Sequence, residues 1–368
     1  LLDARGVTDR IVHIDYNNIL VENDPRFYRN MTDSVLGAAE RYGLPASAMY
    51  DCQKDLDGAV DNIRKVIDAS SAENPLYFVL AGPMEVPLLG IQKSDPAKRK
   101  HVYCISHSVW NDGYAQPEKA HLHRYTKRDI IETGVHWVQI APGSGLTNST
   151  RTSSTPEQWA LYHWMRDAQD ERLRWIYSRL EVEERCDVSD ATMTYFLLTG
   201  DEEATPEKLK AALVEKAWPA TTGLRDSVRI EAENFQILEH YVVDVRSDSK
   251  ASHRRSVGLE NATSGCIRTV LDQPYAPDGG EATVEIRYFD DKNGQSEYRL
   301  LVGGRPQGEA WKASRDSDAW ESTTIAITLN PGEEMVIETR ADGREAAKID
   351  YVQLNFGAAP ERGAAAHP

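Results

Sequence analysis

The sequence predicts two folded parts, an α/β domain on a mainly parallel sheet and then an all-β sandwich. Up to about residue 215, short apolar strands alternate with amphipathic helices, which is typical of a doubly wound parallel sheet. From Val228 onward, short alternating strands are separated by Gly, Pro and Asp turns, as in a sandwich of antiparallel sheets. A chain of 368 residues also exceeds the usual size of a single core. We therefore expect an α/β domain at 1–222, a β-sandwich at 226–356 and a disordered tail at 357–368.

The first β–α unit of the α/β domain carries clear helix boundary signals. A strand at 10–15 precedes Asp24-Pro25, an N-cap followed by proline at the first helical position, and Gly43 ends the helix. Apolar residues at helical spacing mark one face of it: Phe27, Met31, Val35, Ala38 and Tyr42. Residues 1–6 read as the last turn of a helix closed by glycine. The first strand of the domain is therefore expected to be missing upstream.

A central strand is expected at 76–81, an apolar run bounded by Pro75 and Gly82-Pro83. The run is too short for a helix that is buried all round, and it suits a parallel strand covered on both faces. In open α/β sheets ligands gather at the carboxyl ends of strands, so Glu85 is the first candidate site residue. In the alternative interpretation, Gly82-Pro83 starts a helix and Glu85 interacts only with its N-terminal dipole.

The alternation of strands and helices continues beyond this stretch. A strand near 49–52 and a helix at about 56–69 precede it, and strands at 101–106 and 135–141 follow it. The Gly/Ser/Thr-rich loop at 142–155 is longer than most connections in a compact domain, so we expect it beside the site. Further helices complete the domain.

Composition excludes several classes of partner. The formal net charge of -16 argues against a nucleic-acid partner, because such proteins need a clustered basic face. No apolar stretch approaches the roughly 20 residues that cross a bilayer, and no signal peptide opens the sequence. The cysteines show no metal-ligand spacing, so free, packed thiols are expected: Cys52, Cys104, Cys186 and Cys266. The oligomeric state stays open.

Four motifs carry a resemblance of the α/β domain to a known fold. They are Val12-His-Ile-Asp-Tyr-Asn-Asn18, Leu80-Ala-Gly-Pro-Met-Glu85, His107 with Trp110-Asn111-Asp112, and Asp187-Val-Ser-Asp190. With them the domain resembles the nucleoside-hydrolase fold, and more closely a set of secreted bacterial proteins that use this fold for carbohydrate work, some of them associated with agar-type galactans. The resemblance covers about residues 1–215.

The resemblance implies roles for some of these residues. In nucleoside hydrolases the first strand ends in an aspartate cluster that binds calcium, and this sequence begins after that strand, so calcium in the α/β domain is left open. Asn17 or Asn18 matches the asparagine after the second strand of that fold. His107 and Asn111 lie where ribose-holding residues occur, and Glu85 replaces a small hydroxyl residue after the Gly-Pro turn.

The β-domain resembles carbohydrate-binding modules of the family 6 and 35 type over about residues 226–356. The signature pair is Glu231-Ala-Glu233-Asn-Phe235 near its start and Ile349-Asp350-Tyr351-Val352 at its end. In those modules acidic residues at the two places bind a structural calcium, so the resemblance implies calcium at Glu231, Glu233 and Asp350.

Sugar binding by the β-domain needs exposed aromatic side chains in the loops at one end of the sandwich. Trp311, Trp320 and Tyr241 are the candidates, although a core role for Trp320 is an equal alternative. The asparagine that such modules carry before the final strand is replaced by Glu345-Ala-Ala-Lys348.

These features favour a secreted or periplasmic glycoside hydrolase that acts on a polysaccharide or oligosaccharide, such as an agar-type galactan. Glycoside hydrolysis typically needs two carboxyl groups, and we expect Glu85 as the acid and Asp15 or Asp112 as the base. Substrate-binding candidates surround them: Asn17, Asn18, His107, Trp110, Asn111 and Asp190. The alternatives are a nucleoside or ribosyl hydrolase and a noncatalytic glycan-binding protein.

Overall fold

The computed structural model describes residues 1–20, 24–107, 124–140, 146, 153–218, 227–244, 250–252, 255–271, 279–292, 294–342 and 344–356. The chain divides into two compact units, Leu1–Thr222 and Gly223–Pro368. Within the described ranges, no helix combines the length and apolar character needed to cross a membrane. The predicted boundary at 219–223, most of the loop at 142–155 and the predicted tail at 357–368 lie outside the described residues.

The first unit alternates short strands and helices, as the sequence predicts. Its described strands are β1 Ile14–Tyr16, β2 Met49–Asp51, β3 Leu76–Val79, β4 Val102–Ser106 and β5 His136–Gln139. Its described helices are α1 Pro25–Tyr42, α2 Leu56–Asp68, α3 Glu85–Lys93, α4 Lys127–Ile131, α5 Pro156–Ala160, α6 His163–Arg166, α7 Glu171–Glu183, α8 Ala191–Thr199 and α9 Pro206–Leu213. Short 3₁₀ turns lie at Asp3–Arg5, Thr8–Arg10, Ala46–Ala48 and Pro96–His101.

All strand pairs of the first unit are parallel in the described ranges, but they form two sheets instead of one. β1 pairs with β2, and β4 lies between β3 and β5. The parallel α/β class is therefore confirmed in its coarse form, whereas its likeness to nucleoside hydrolases stays a prediction.

The expectation of a central strand at 76–81 is wrong for the sheet that is described. β3 lies at the edge of its sheet and its four residues are only half-buried, whereas all five residues of β4 are buried. A short apolar run fits a partly covered edge strand as well as a central one, so composition alone did not distinguish them.

Helix α1 has the predicted ends but not the expected packing. The Asp24 carboxylate accepts a hydrogen bond from the Arg26 backbone N–H at 2.7 Å, and Gly43 adopts φ 60° just after the helix. No residue of α1 is buried, and Phe27 and Met31 are 57% and 48% exposed. The core of this unit instead lies around α2, α3 and β4, and includes the fully buried Ile63, Met84 and Ile91. As expected, all four cysteines are free and three of them are buried.

The second unit is a β-sandwich, as predicted. Its described strands are β6 Ser227–Glu231, β7 Gln236–Glu239, β8 Tyr241–Asp244, β9 Ser256–Leu259, β10 Ser264–Leu271, β11 Gly280–Asp290, β12 Ser296–Val302, β13 Arg305–Ala313, β14 Ala319–Leu329, β15 Glu333–Ala341 and β16 Ile349–Phe356, with a 3₁₀ turn at Ala232–Asn234. One sheet has the order β13-β12-β15-β10-β7, and the other has β14-β11-β16-β9-β8 with β6 also paired to β16. All these pairs are antiparallel.

Six of these strands are expected from alternating apolar residues in the sequence, at 228–232, 283–288, 297–302, 323–329, 335–339 and 347–355, and all six are present. Five others were missed: β7, β8, β9, β10 and β13. The buried side chains of β11, β12, β15 and β16 alternate with more exposed ones. Inward-facing Val284, Leu300 and Ile337 are fully buried between the sheets.

Candidate functional site

Asp15 in β1 is held by two polar neighbours. Its carboxylate accepts a hydrogen bond from the Asn18 side-chain amide at 3.0 Å, and its other oxygen lies 3.2 Å from His13 Nε2. His13 Nδ1 lies 3.0 Å from the side-chain nitrogen of Asn62, which can only donate. Nδ1 is then the acceptor, and Nε2 carries the proton that it donates to Asp15. The arrangement fixes both the tautomer of His13 and the orientation of the carboxylate.

Asn17 belongs to a different cluster from Asn18. It is buried with φ 54°, and its amide donates to Thr32 Oγ1 at 3.0 Å and to Asp51 Oδ1 at 3.3 Å. Burial alone would raise the pKa of Asp51, but the hydrogen bonds from Tyr28 and Asn17 outweigh it and lower that pKa. These contacts give Asn17 a structural part in anchoring α1 to β2.

Glu85 is the first residue of α3, and its side chain is largely buried. Its Oε1 atom lies 3.3 Å from Arg124 Nη1, a partner that the sequence did not suggest. At Gly82, three residues earlier, a Cβ would lie 3.2 Å from the Asn18 amide nitrogen, so the backbone approaches this side chain closely. The close approach joins the loop after β1 to the loop after β3. The Asp15–Asn18 pair and the segment that leads to Glu85 therefore meet at Gly82.

His107 and Asp190 form a second polar pair at the carboxyl end of β4. His107 Nε2 lies 2.9 Å from Asp190 Oδ1; the imidazole is buried, while the Asp190 side chain is 57% exposed. Asp190 precedes α8 but makes no capping hydrogen bond to it. Its carboxylate is therefore directed to His107 instead of to the helix end, and remains accessible from solvent.

The structure thus brings together Asp15 with Asn18 and His107 with Asp190, and separates Asn17 from them. Trp110, Asn111 and Asp112 lie outside the described residues. Sequence reasoning missed Arg124 and Asn62 as neighbours of the site. Arg124 lies two residues before Thr126, the start of a capping box, and nothing in its local pattern indicates that it contacts Glu85.

The predicted metal ligands of the β-domain lie close together in the sandwich. Glu231, Glu233 and Asp350 are all buried. Burial, together with the neighbouring charges of Glu233 and Asp350, raises the pKa of Glu231 to about 8. Such mutual repulsion between carboxylates is the situation that a hard cation relieves, so the donor chemistry fits calcium. As they stand, however, no group of three His, Cys, Asp or Glu side chains in the described ranges is arranged to hold a metal ion.

The aromatic candidates differ in their surroundings. Tyr241 is buried and its hydroxyl donates to Thr339, so it belongs to the core and is not a sugar platform. Trp311 is stacked on Tyr298 with ring centroids 5.3 Å apart. Trp320 packs edge-on against Phe289, and both tryptophans are only half-buried.

No family model matches the chain. Among curated proteins, the uncharacterized protein P22 of Formosa agariphila is 26% identical over 218 residues, which are 54% of this chain and 75% of that protein. The α-glucuronidase of Hypocrea jecorina is 27% identical over 139 residues, which are 34% of this chain but only 16% of the enzyme. The α-glucuronidase A of Aspergillus tubingensis gives a similar match, with 27% identity and 16% of the enzyme covered.

Solved structures match about a third of the chain. A family 35 carbohydrate-binding module from Clostridium thermocellum is 21% identical, with a TM-score of 0.30, and the match covers 36% of this chain and 100% of the module. The GH26-CBM35 β-(1,4)-mannanase of Podospora anserina is 18% identical, also with a TM-score of 0.30, over 37% of this chain and 29% of the enzyme.

Proposed function

We propose that this protein is a glycoside hydrolase that acts on a polysaccharide, with its chemistry in the α/β unit. The observation that carries the proposal is the largely buried Glu85 beside Arg124, in a segment that meets the Asp15–Asn18 pair at Gly82. Two carboxyl groups near one another are the usual requirement for cleaving a glycosidic bond. The α-glucuronidase relatives support work on carbohydrate, although the aligned part is a small fraction of those enzymes.

In this proposal Glu85 is the acid and Asp15 is the base. Asp15 is suited to a fixed position, because His13 and Asn18 both hold its carboxylate. An acid must carry a proton when the leaving oxygen departs, so the Arg124–Glu85 ion pair would have to open as substrate binds. The Arg124 side chain is 46% exposed, so opening the ion pair would place its guanidinium in water. His107 and Asp190 would position the sugar, with the exposed Asp190 carboxylate accepting hydrogen bonds from its hydroxyl groups.

For the substrate we propose an agar-type algal galactan, and for the place of action the periplasm or the medium. The β-sandwich would hold the polysaccharide near the catalytic unit and would be stabilised by calcium at Glu231, Glu233 and Asp350. Half-buried Trp311 and Trp320 are the aromatic side chains we propose for sugar contact.

The second candidate is a noncatalytic glycan-binding protein. This candidate is favoured because both carboxylates already have protein partners: Glu85 is paired with Arg124, and Asp15 with His13. Such pairing is also what a purely structural carboxylate would show. A nucleoside or ribosyl hydrolase is the remaining enzyme class that the test must include.

The test is a substrate screen with the unmodified protein. It is incubated with agar-type galactans, with glucuronic-acid-containing xylans and with nucleosides, and reducing ends or free bases are measured. Release of reducing sugar from a galactan is the expected result. Cleavage of nucleosides alone would contradict the glycoside hydrolase, and binding of glycans without release of any sugar would establish the binding protein instead.

A further inference from the structure

Arg287 in β11 contacts Asp350, one of the predicted metal ligands. Its Nη1 atom lies 2.5 Å from Asp350 Oδ2, and the Asp350 side chain is fully buried. Its Nη2 atom donates to the Lys250 backbone oxygen at 3.1 Å. A single guanidinium thus contacts both the strand and the loop that border the site.

Ser252 in the same loop completes this network. Its backbone N–H donates to both oxygens of Asp350, at 2.9 and 3.1 Å, and its hydroxyl donates to Glu231 Oε1 at 3.0 Å. Two of the three candidate ligands are therefore occupied by protein donors. Asp350 is in addition paired with the full positive charge of the Arg287 guanidinium.

We propose that Arg287 is an internal counter-ion that competes with calcium for Asp350 and thereby sets the calcium affinity of the β-sandwich. This inference rests on the calcium site proposed above. Arg287 balances the charge of the buried Asp350 carboxylate. For Asp350 to bind calcium, the guanidinium has to withdraw, because two cations at one buried carboxylate repel each other strongly.

Two aromatic rings also contact the guanidinium of Arg287. It lies over the Trp320 ring at 5.2 Å and over the Tyr351 ring at 5.8 Å from their centroids. Cation–π contacts of this kind stabilise a guanidinium that is partly exposed, and this side chain is 25% exposed. In the proposed exchange, Arg287 withdraws from Asp350 and keeps these aromatic contacts.

The experiment measures calcium binding to the full chain by titration calorimetry, after treatment with chelator, for the parent protein and for Arg287→Gln. Arg287→Gln is expected to bind calcium about tenfold more tightly or better, because the competing charge is gone. Without calcium, Arg287→Gln is expected to unfold at a lower temperature than the parent, since Asp350 loses its partner. Saturating calcium should reduce this difference.

Arg229→Gln is the matched control. Arg229 also lies over the Tyr351 ring, at 4.1 Å, but its side chain hydrogen-bonds to Gln353 instead of to Asp350. The substitution Arg229→Gln removes one positive charge from the same face. Its calcium affinity should differ from that of the parent by less than about threefold, because a charge in solvent is well screened. Arg287→Lys keeps the charge and should bind calcium much as the parent does. If Arg287→Gln does not fold, Arg287→Met, which also lacks the charge, takes its place in the titration.

Each outcome decides one question. Equal calcium affinity in the parent and in Arg287→Gln, or an equal gain in Arg229→Gln, would overturn the competition while leaving the calcium site intact. Failure of all the proteins to bind calcium would instead remove the calcium site itself, and the inference with it.

Discussion

Glu345, in the loop before β16, shows how strongly position controls a single carboxyl group. It is buried, its Oε1 accepts the Asp291 backbone N–H at 3.2 Å, and its Oε2 has no hydrogen-bond partner in the described part of the chain. Burial raises the pKa of Glu345 to about 7. The hydrogen bond from the Asp291 N–H lowers this pKa, whereas the charges of Asp291, Asp290 and Asp342 raise it further. The neutral form is therefore the one that the fold favours.

We predict that Glu345→Gln makes the stability of the β-unit less dependent on pH. The folded pKa is raised above that of an unfolded glutamate, near 4.5, so this contribution is fully present below about pH 4.5 and is lost as the pH rises to about 7. The parent should lose roughly 2–3 kcal/mol over this range through Glu345, and the variant should not. Urea unfolding of the parent and the variant between pH 4.5 and 8 measures this loss of stability.

The exposed Glu338 offers a control, because Glu338→Gln should follow the pH profile of the parent. Parallel profiles for the parent and Glu345→Gln would contradict the assigned titration.

Single residues also show how far sequence reasoning reached. Glu85 and His107 could be placed after strands because the apolar runs before them are local signals, whereas Asp15, expected at a strand end, lies inside β1. Their partners could not be predicted: Arg124, which contacts Glu85, is 39 positions away from it, and Asn62 is 49 positions from His13, whose ring it contacts. Such contacts are set by tertiary packing, which no local pattern records.

Among the secondary-structure elements, four of the five missed strands have features that weaken the strand pattern in the sequence. β13 contains Pro306 and Gly308 and few buried side chains, as is common at the edge of a sheet, where a ladder hydrogen bond can be absent. β9 carries Gly258, and β7 and β8 have only four residues each. Alternation over so few residues does not stand out, so the sandwich could be predicted as a class while its complete strand order could not.

The contact between α2 and α3 depends on a glycine in the interior of a helix. A Cβ on Gly90 would lie 2.4 Å from Ile63 Cγ2, and Ile63 is fully buried. In an exposed helix, replacing this glycine by alanine would stabilise the helix by about 1 kcal/mol. At position 90 the steric overlap with Ile63 outweighs this gain, and we predict that Gly90→Ala destabilises the protein by about 1–3 kcal/mol.

Chemical denaturation of Gly90→Ala measures this, with Gln92→Ala as the control at an exposed position of the same helix. Gln92→Ala should change the free energy of unfolding by no more than about 0.5 kcal/mol. A Gly90→Ala protein as stable as the parent would show that α2 and α3 do not pack this closely.

At the scale of the whole molecule, the chain joins a parallel α/β unit to an antiparallel sandwich, and the two units depend on different interactions. In the sandwich, two of the three buried carboxylates, Asp350 and Glu231, are compensated by Arg287 and Ser252. In the α/β unit, the cluster around Ile63 and Met84 is built from apolar side chains. A cation bound at the buried carboxylates should therefore stabilise the sandwich.

We predict that calcium raises the unfolding temperature of the β-unit alone. An ion bound only by the folded form adds about 2.7 kcal/mol at a hundredfold excess over its dissociation constant. Differential scanning calorimetry with calcium and with chelator should move one transition and leave the other unchanged. Asp350→Asn should abolish the response, and a calcium shift that survives in this variant would place the ion elsewhere.

The central claim, that Glu85 is the acid of a polysaccharide hydrolase, is tested most directly by the turnover of Glu85→Gln on an agar-type galactan. The substitution keeps the shape of the side chain and removes the proton donor. We expect kcat to fall by about 10² or more while oligosaccharide binding and thermal stability stay near those of the parent. Glu132→Gln, at a carboxylate paired with Arg128 in a separate ion pair, should retain full turnover. Unchanged turnover of Glu85→Gln on a galactan that the parent cleaves would contradict the account.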